Sequence, residues 1–192
     1  MDEERFSRAV AAIDAANTED PHGKELRHAE LAMAWVTRLR PGASEELLLA
    51  ARAHHIRRWV IPRSSYPDGR IGYLRWRRAL QQSHSADVAG ILGAEGYDEA
   101  AIKRVQHIVR KRNLSSDPEV QAFEDALCLV FLETQLGEFA ERYADKAADV
   151  LDKTLEKMSD AGKGLALELE LSPGERALLT AAVGSPPDGP SR

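Results

Sequence analysis

His54 and His55 stand at the end of an apolar segment, EELLLAARAHHIRRW, and imidazole is the commonest protein ligand for metal ions. His28 lies in the preceding helical segment, and Asp125 lies near the start of a later, almost wholly apolar one, FEDALCLV. A metal centre needs three or more N or O donors converging from different elements. By placement His28, His54, His55 and Asp125 qualify, since each falls at or beside a core-facing position. Burying an imidazole or a carboxylate without a partner costs free energy. Any one of these histidines alone reads more readily as a satisfied core or surface residue, but the four together predict a site.

A second group of residues follows the histidine pair. Between Arg52 and Arg78 there are eight Arg, no Lys and one acid, Asp68, so this stretch is strongly basic in a chain of net charge −5. Arg57 and Arg58 directly succeed His55, placing guanidinium groups within reach of an anion bound at the histidines. Arg63, Ser64, Ser65, Tyr66 and Arg70 occupy the Pro-containing loop WVIPRSSYPDGR. Guanidinium forks match phosphate geometry, and hydroxyls and loop N–H groups can complete the cradle. Arg58, Arg63 and Arg70, with Ser64, Ser65 and Tyr66, are therefore predicted to bind phosphate or carboxylate. A solvated face paired with acids elsewhere suits Arg75 and Arg78 better. Trp59 and Trp76 read as core or loop anchors, either of which could stack on a base.

These residues need helices to position them, and helical periodicity dominates the chain. Phe6, Val10, Ile13 and Ala16 mark a first amphipathic helix. Asp20-Pro21 reads as cap and first residue of a second, which ends at Arg40-Pro41-Gly42. Ser44 caps a third, through Leu47, Leu48, Ala51 and His54. A fourth is expected from about Ile71 to Gln82, and a fifth, capped by Ser83 or Ser85, with His84 at its start. Asp98 caps a sixth with Ile102, Val105 and Val109 facing inward, and His107 on its polar face is expected to be exposed. Asp117-Pro118 opens a seventh, apolar nearly all round and so buried, and an eighth covers about 138–160. LALELEL alternates and suggests an edge strand, followed by a short helix from Pro173 to Val183. GSPPDGPSR has the composition of a disordered tail.

The length, 192 residues, suits one domain with a substantial core. No apolar run is long enough to span a membrane, and MDEERFSRAV lacks the pattern of a secretory signal. The single Cys128 cannot form an internal disulfide and reads as a small core residue. A cytoplasmic protein is expected. The acidic net charge disfavours a nucleic-acid partner.

A His in one helix, then AARAHHIRR, then His84 in SHSADVAGIL, then Asp125 in FEDALCLV resembles the HD superfamily of metal-dependent phosphohydrolases over roughly residues 24–135. The resemblance implies an all-α, HD-like bundle of about seven to eight helices over residues 1–160, a C-terminal extension over 161–183 and a tail over 184–192. It maps His28, His54 and Asp125 onto metal ligands, and His84 onto a catalytic position near substrate or a second metal. His55 stands where the family's dyad has Asp. Three imidazoles and one carboxylate favour one divalent transition metal, Zn, Fe, Mn or Ni, over Mg or Ca, unless the substitution means that the metal is lost. Lys111, where a dinuclear member would place a further His, favours one ion over two. The implied activity is hydrolysis of a small phosphorylated metabolite or nucleotide. The alternatives are an inactive anion-binding or interaction module and an HD-type iron oxygenase. The stretch AARAHHIRRWVIPRSSYPDGRIGYLRWR also resembles an uncharacterised family of bacterial and fungal proteins, named only as a domain of unknown function.

Overall fold

The computed structural model describes residues 2–184 and contains no strand among them. The fold is all-α, as the periodicity predicts. The elements are α1 (Glu3–Thr18), α2 (Glu25–Leu39), α3 (Glu45–Arg52), two single-turn 3-10 segments (Arg58–Val60 and Arg63–Ser65), α4 (Gly69–Ala94), α5 (Glu99–Val109), α6 (Pro118–Thr134), α7 (Leu136–Arg142), α8 (Ala144–Leu155), α9 (Asp160–Leu167) and α10 (Pro173–Gly184). That makes ten α-helices among the described residues, against the seven to eight expected. The contacts divide the chain into two units, with the boundary inside α6 between Phe123 and Glu124.

In the first unit α3 is the hub, packing on α1, α2 and α5, while α4 packs on α5 and α1. Its small and aliphatic residues explain this position. Leu47, Leu49, Ala50 and Ala51 are fully buried, as are Ala53 and Ile56 just beyond its end. Burying a leucine contributes about 1.5–3 kcal/mol, and alanines let neighbouring backbones approach closely. The Ser44 side chain caps α3 by accepting the Leu47 N–H, and Asp98 caps α5 by accepting the Ala101 N–H, both as predicted.

The expected fourth and fifth helices are one helix, α4, of 26 residues. Ser83 and Ser85 therefore do not cap a new helix, and His84 lies mid-helix, its ring aimed into the core. Asp20 does not start α2 either. Its carboxylate accepts the N–H groups of His22, Lys24 and Glu25, so it closes an intervening turn and the helix begins at Glu25. The eighth expected helix is two, α7 and α8, separated at Tyr143.

In the second unit α10 packs on α7, α8 and α9, and α7 packs on α8. LALELEL is not a strand. Its first half completes α9, which Ser159 caps by accepting the Gly162 N–H. Arg176 of α10 donates to the carbonyls of Leu167 and Leu169, satisfying groups that the helix end leaves open. Local helix capping thus overrides the alternating pattern. Gly184 ends α10, and the remainder of the expected disordered tail, 185–192, lies outside the described residues. Cys128 is buried, as expected, and no described helix is long and apolar enough to cross a membrane.

Candidate metal centre

The first turn of α2 presents Glu25 and His28 on one face, as spacing of three in a helix requires. Glu25 Oε2 lies 3.6 Å from His28 Nδ1, with both side chains nearly buried. The Asp20 turn fixes where this helix begins and hence where Glu25 points.

The histidine pair does not belong to α3 itself. Past Arg52 the chain tightens into successive turns, with Ile56 N–H bonded to Ala53 O and Arg58 N–H to His55 O. Arg57 takes the left-handed conformation at φ 51°, which reverses the path and aims Arg58 back at the histidines. His55 Nδ1 lies 3.1 Å from Glu25 Oε2, and an Arg58 Nη1–H points at His55 Nε2 from 2.9 Å. A guanidinium can only donate. His55 Nε2 is therefore the acceptor, and the ring proton sits on Nδ1 and is donated to Glu25.

His54 and His84 follow the same logic. His54 Nδ1 is 2.9 Å from Ala51 O, and His84 Nδ1 is 2.7 Å from Ile56 O. A carbonyl can only accept, so both rings carry their proton on Nδ1 and leave the Nε2 lone pair turned the other way. The other three imidazoles are grouped around that of His55. The His55 ring centre lies 4.2 Å from that of His54, 6.1 Å from that of His84 and 6.5 Å from that of His28.

Burial dominates the electrostatics. It holds His54 and His55 well below the ordinary histidine value, reinforced for His55 by the cationic Arg58 and for His54 by His55. His84 is brought down to about 4, chiefly by burial, which outweighs the opposing bond to Ile56 O. These rings are neutral at pH 7, the form in which imidazole offers a lone pair. Burial also lowers the Arg58 guanidinium, against the pull of Glu25.

One atom each from Glu25, His28 and His55 lies within 4.8 Å of the others, a spacing suited to holding one metal ion. Of the residues predicted as ligands, His28 and His55 are brought together, and His54 stacks beside them. Asp125 lies in the second unit, where its carboxylate accepts the N–H and hydroxyl of Ser159 at 2.8 and 2.5 Å. Glu25 was missed by sequence reasoning, although the pattern Glu25-x-x-His28 on a predicted helix was a usable signal.

The Arg stretch divides in the same way. Arg58 faces the cluster, its guanidinium carbon 5.1 Å from the centre of the Trp76 ring. Trp76 is buried and donates its N–H to Ile61 O at 2.8 Å, anchoring the loop as expected. Arg63 spends its guanidinium on the carbonyls of Tyr66 and Pro67 at 2.8 and 2.9 Å, bracing the loop from within. Ser64, Ser65 and Arg70 are exposed and Tyr66 is half-buried. His107 is not exposed, as its position on the helix suggested. It is half-buried, with Nε2 3.6 Å from Asp117 Oδ2. Lys111 adopts a left-handed φ of 53°, and its positive charge acts on His55.

The chain matches a family described as a domain of unknown function (DUF4202) over residues 7–179, and it belongs to that family. Neither a curated protein nor a solved structure matches it.

Proposed function

We propose that the protein is a metal-dependent hydrolase of a small phosphorylated metabolite or nucleotide, built on an HD-like helical architecture. Its single divalent transition metal would be held by Glu25, His28 and His55. The observation that carries this reading is the convergence of those three side chains within 4.8 Å, in a setting that keeps His55 neutral. Two imidazoles and one carboxylate form a donor set used by zinc hydrolases, with a position left for water or substrate, and the same set suits Fe, Mn or Ni. Such an ion supplies Lewis acidity toward a phosphoryl oxygen and acidifies bound water.

The chain's own residues define the remaining roles. Arg58, bonded to His55, is placed to hold an anionic substrate, with Arg70 at the exposed start of α4 as an outer contact. His84, neutral at pH 7, serves as a proton or hydrogen-bond acceptor beside His55. With a pKa of about 4 it is poorly suited to act as a general acid at neutral pH. His54 packs against His55 and fixes its ring plane. Arg63 is assigned to the loop and Asp125 to the second unit's own structure.

A second reading, an iron oxygenase, is favoured by the donor set itself, because two His and one carboxylate is also the facial triad of non-haem Fe(II) enzymes. The cationic Arg58 beside the cluster favours hydrolysis of an anion. Elemental analysis of the purified protein with a screen of phosphorylated compounds tests both. One equivalent of metal, lost in Glu25→Gln and His28→Ala, with phosphate release supports the hydrolase. Iron with oxygen consumption and no phosphate release supports the oxygenase. Absence of metal from the native protein and after reconstitution refutes both.

A further inference from the structure

We infer that Arg58 is a built-in competitor for the metal, and that its release couples metal binding to the binding of a phosphate-type oxyanion. The inference rests on the metal reading above and concerns how that same site is loaded. It follows from the tautomer of His55. Arg58 Nη1–H donates to His55 Nε2 at 2.9 Å, while His55 Nδ1–H faces Glu25 Oε2 at 3.1 Å. Every lone pair and proton of this imidazole is therefore committed.

A metal ion has two ways of reaching the ring, and both expel the guanidinium. Binding at Nε2 takes the lone pair that Arg58 uses. Binding at Nδ1 moves the ring proton to Nε2, where an N–H would then face the N–H of Arg58 with no acceptor between them. A divalent cation also repels a guanidinium held this close in a partly buried setting. Arg58 thus balances Glu25 while the metal is absent and must let go when it binds.

Once released, the guanidinium remains tethered beside the site. Its carbon lies over the Trp76 ring at 5.1 Å, and that ring is fixed by its bond to Ile61 O. The swing is therefore short. A half-buried guanidinium that has lost its acceptor is disfavoured, and a phosphate oxyanion presents the bidentate geometry that it prefers. An oxyanion that captures Arg58 removes the metal's competitor, and a metal that expels Arg58 frees the oxyanion's ligand. The coupling is reciprocal by thermodynamic necessity.

The test is calorimetric titration of the full chain with Mn(II), with and without inorganic phosphate, on wild type and Arg58→Gln. In wild type, phosphate tightens Mn(II) binding by a factor in the range of about 5–150 typical of such coupling, and Mn(II) tightens phosphate by the same factor. Arg58→Gln binds Mn(II) more tightly than wild type when phosphate is absent, and phosphate no longer changes that affinity. Unchanged Mn(II) affinity in Arg58→Gln, or undiminished phosphate coupling, overturns the inference while leaving the metal site standing. Failure of Mn(II) to bind either protein overturns the metal reading first. Arg58→Lys, which keeps the charge but not the planar fork, serves if Arg58→Gln does not fold by circular dichroism. It is expected to show reduced coupling, and coupling equal to wild type counts against the inference.

Discussion

Asp125 takes both hydrogen-bond donors of Ser159, the backbone N–H on Oδ1 at 2.8 Å and the hydroxyl on Oδ2 at 2.5 Å. Ser159 in turn caps α9, so a buried carboxylate in the middle of α6 fixes the start of another helix. Gly162 is part of the same arrangement, since a Cβ there would stand 2.7 Å from the Asp125 carboxyl carbon. Asp125→Ala should lower the unfolding free energy by about 2–4 kcal/mol, because a buried bonded carboxylate is lost and Ser159 is left unsatisfied. Metal content should stay at the wild-type level. Urea denaturation and elemental analysis of the same preparation check the two halves of this prediction.

Glu25→Gln keeps the shape of the side chain but removes the anionic donor. If Glu25, His28 and His55 hold the ion, this variant and His28→Ala should each weaken metal binding by more than about a hundredfold, above the 10–100-fold expected for a residue that only orients a ligand. His84→Gln should weaken it far less and should lower turnover instead. Competition against a chromogenic chelator measures the affinities. Equal losses in all three variants would show that the cluster merely shares a common fold.

How much of this was legible in the sequence depended on whether the relevant physics was local. Ser44 and Asp98 cap their helices as read, because a cap needs only its own next three residues. Cys128 and the apolar face of α6 are buried as read, because hydrophobic pattern decides burial. The merging of two expected helices into α4 was not legible. Ser83 and Ser85 carry cap chemistry, but tertiary burial of His84 and Ser85 against the rest of the unit overrides it. The site was half legible. His28 and His55 stand out by residue type and placement, whereas Glu25 joins the site only because α2 begins at Glu25 and not at Asp20-Pro21. The sequence could not show that Arg63 turns inward to its own loop carbonyls, since that depends on the path of the backbone between Tyr66 and Pro67.

The three neutral imidazoles make stability depend on pH in a defined window. Above the ordinary histidine value of 6.5 they are uncharged in both folded and unfolded chains, and their contribution is constant. As pH falls below 6.5 the unfolded chain takes up protons that the folded chain refuses, down to about 4 for His84; His54 and His55, both held well below 6.5, act in the same direction. The unfolded state then binds more protons, so stability falls with falling pH. Each such histidine contributes a slope of up to about 1.4 kcal/mol per pH unit. Chelator-treated protein should therefore show a melting temperature that is flat from pH 8 to 7 and drops steeply from 6.5 to 4.5. His84→Gln should flatten the drop. A profile indifferent to pH across that window would contradict the burial of neutral histidines.

Gly72 sits in the first turn of α4 with the Pro67 carbonyl against it, so that a Cβ would lie 1.8 Å from the Pro67 oxygen and 2.7 Å from its carbon. The obstacle is backbone, and that backbone is held in place. Arg63 grips the same Pro67 oxygen at 2.9 Å, and Trp76, one helical turn further on, is bonded to Ile61 O. A methyl group at residue 72 cannot be absorbed by a rotamer change, so loop and helix must separate. Gly72→Ala should cost about 1–3 kcal/mol or more. It should also loosen the Trp76 anchor that lies over Arg58, raising solvent exposure of the indole. Chemical denaturation measures the first effect and tryptophan fluorescence, red-shifted in the variant, the second. Gly72→Ala with wild-type stability and an unshifted emission spectrum would mean that the loop does not press on α4 as described.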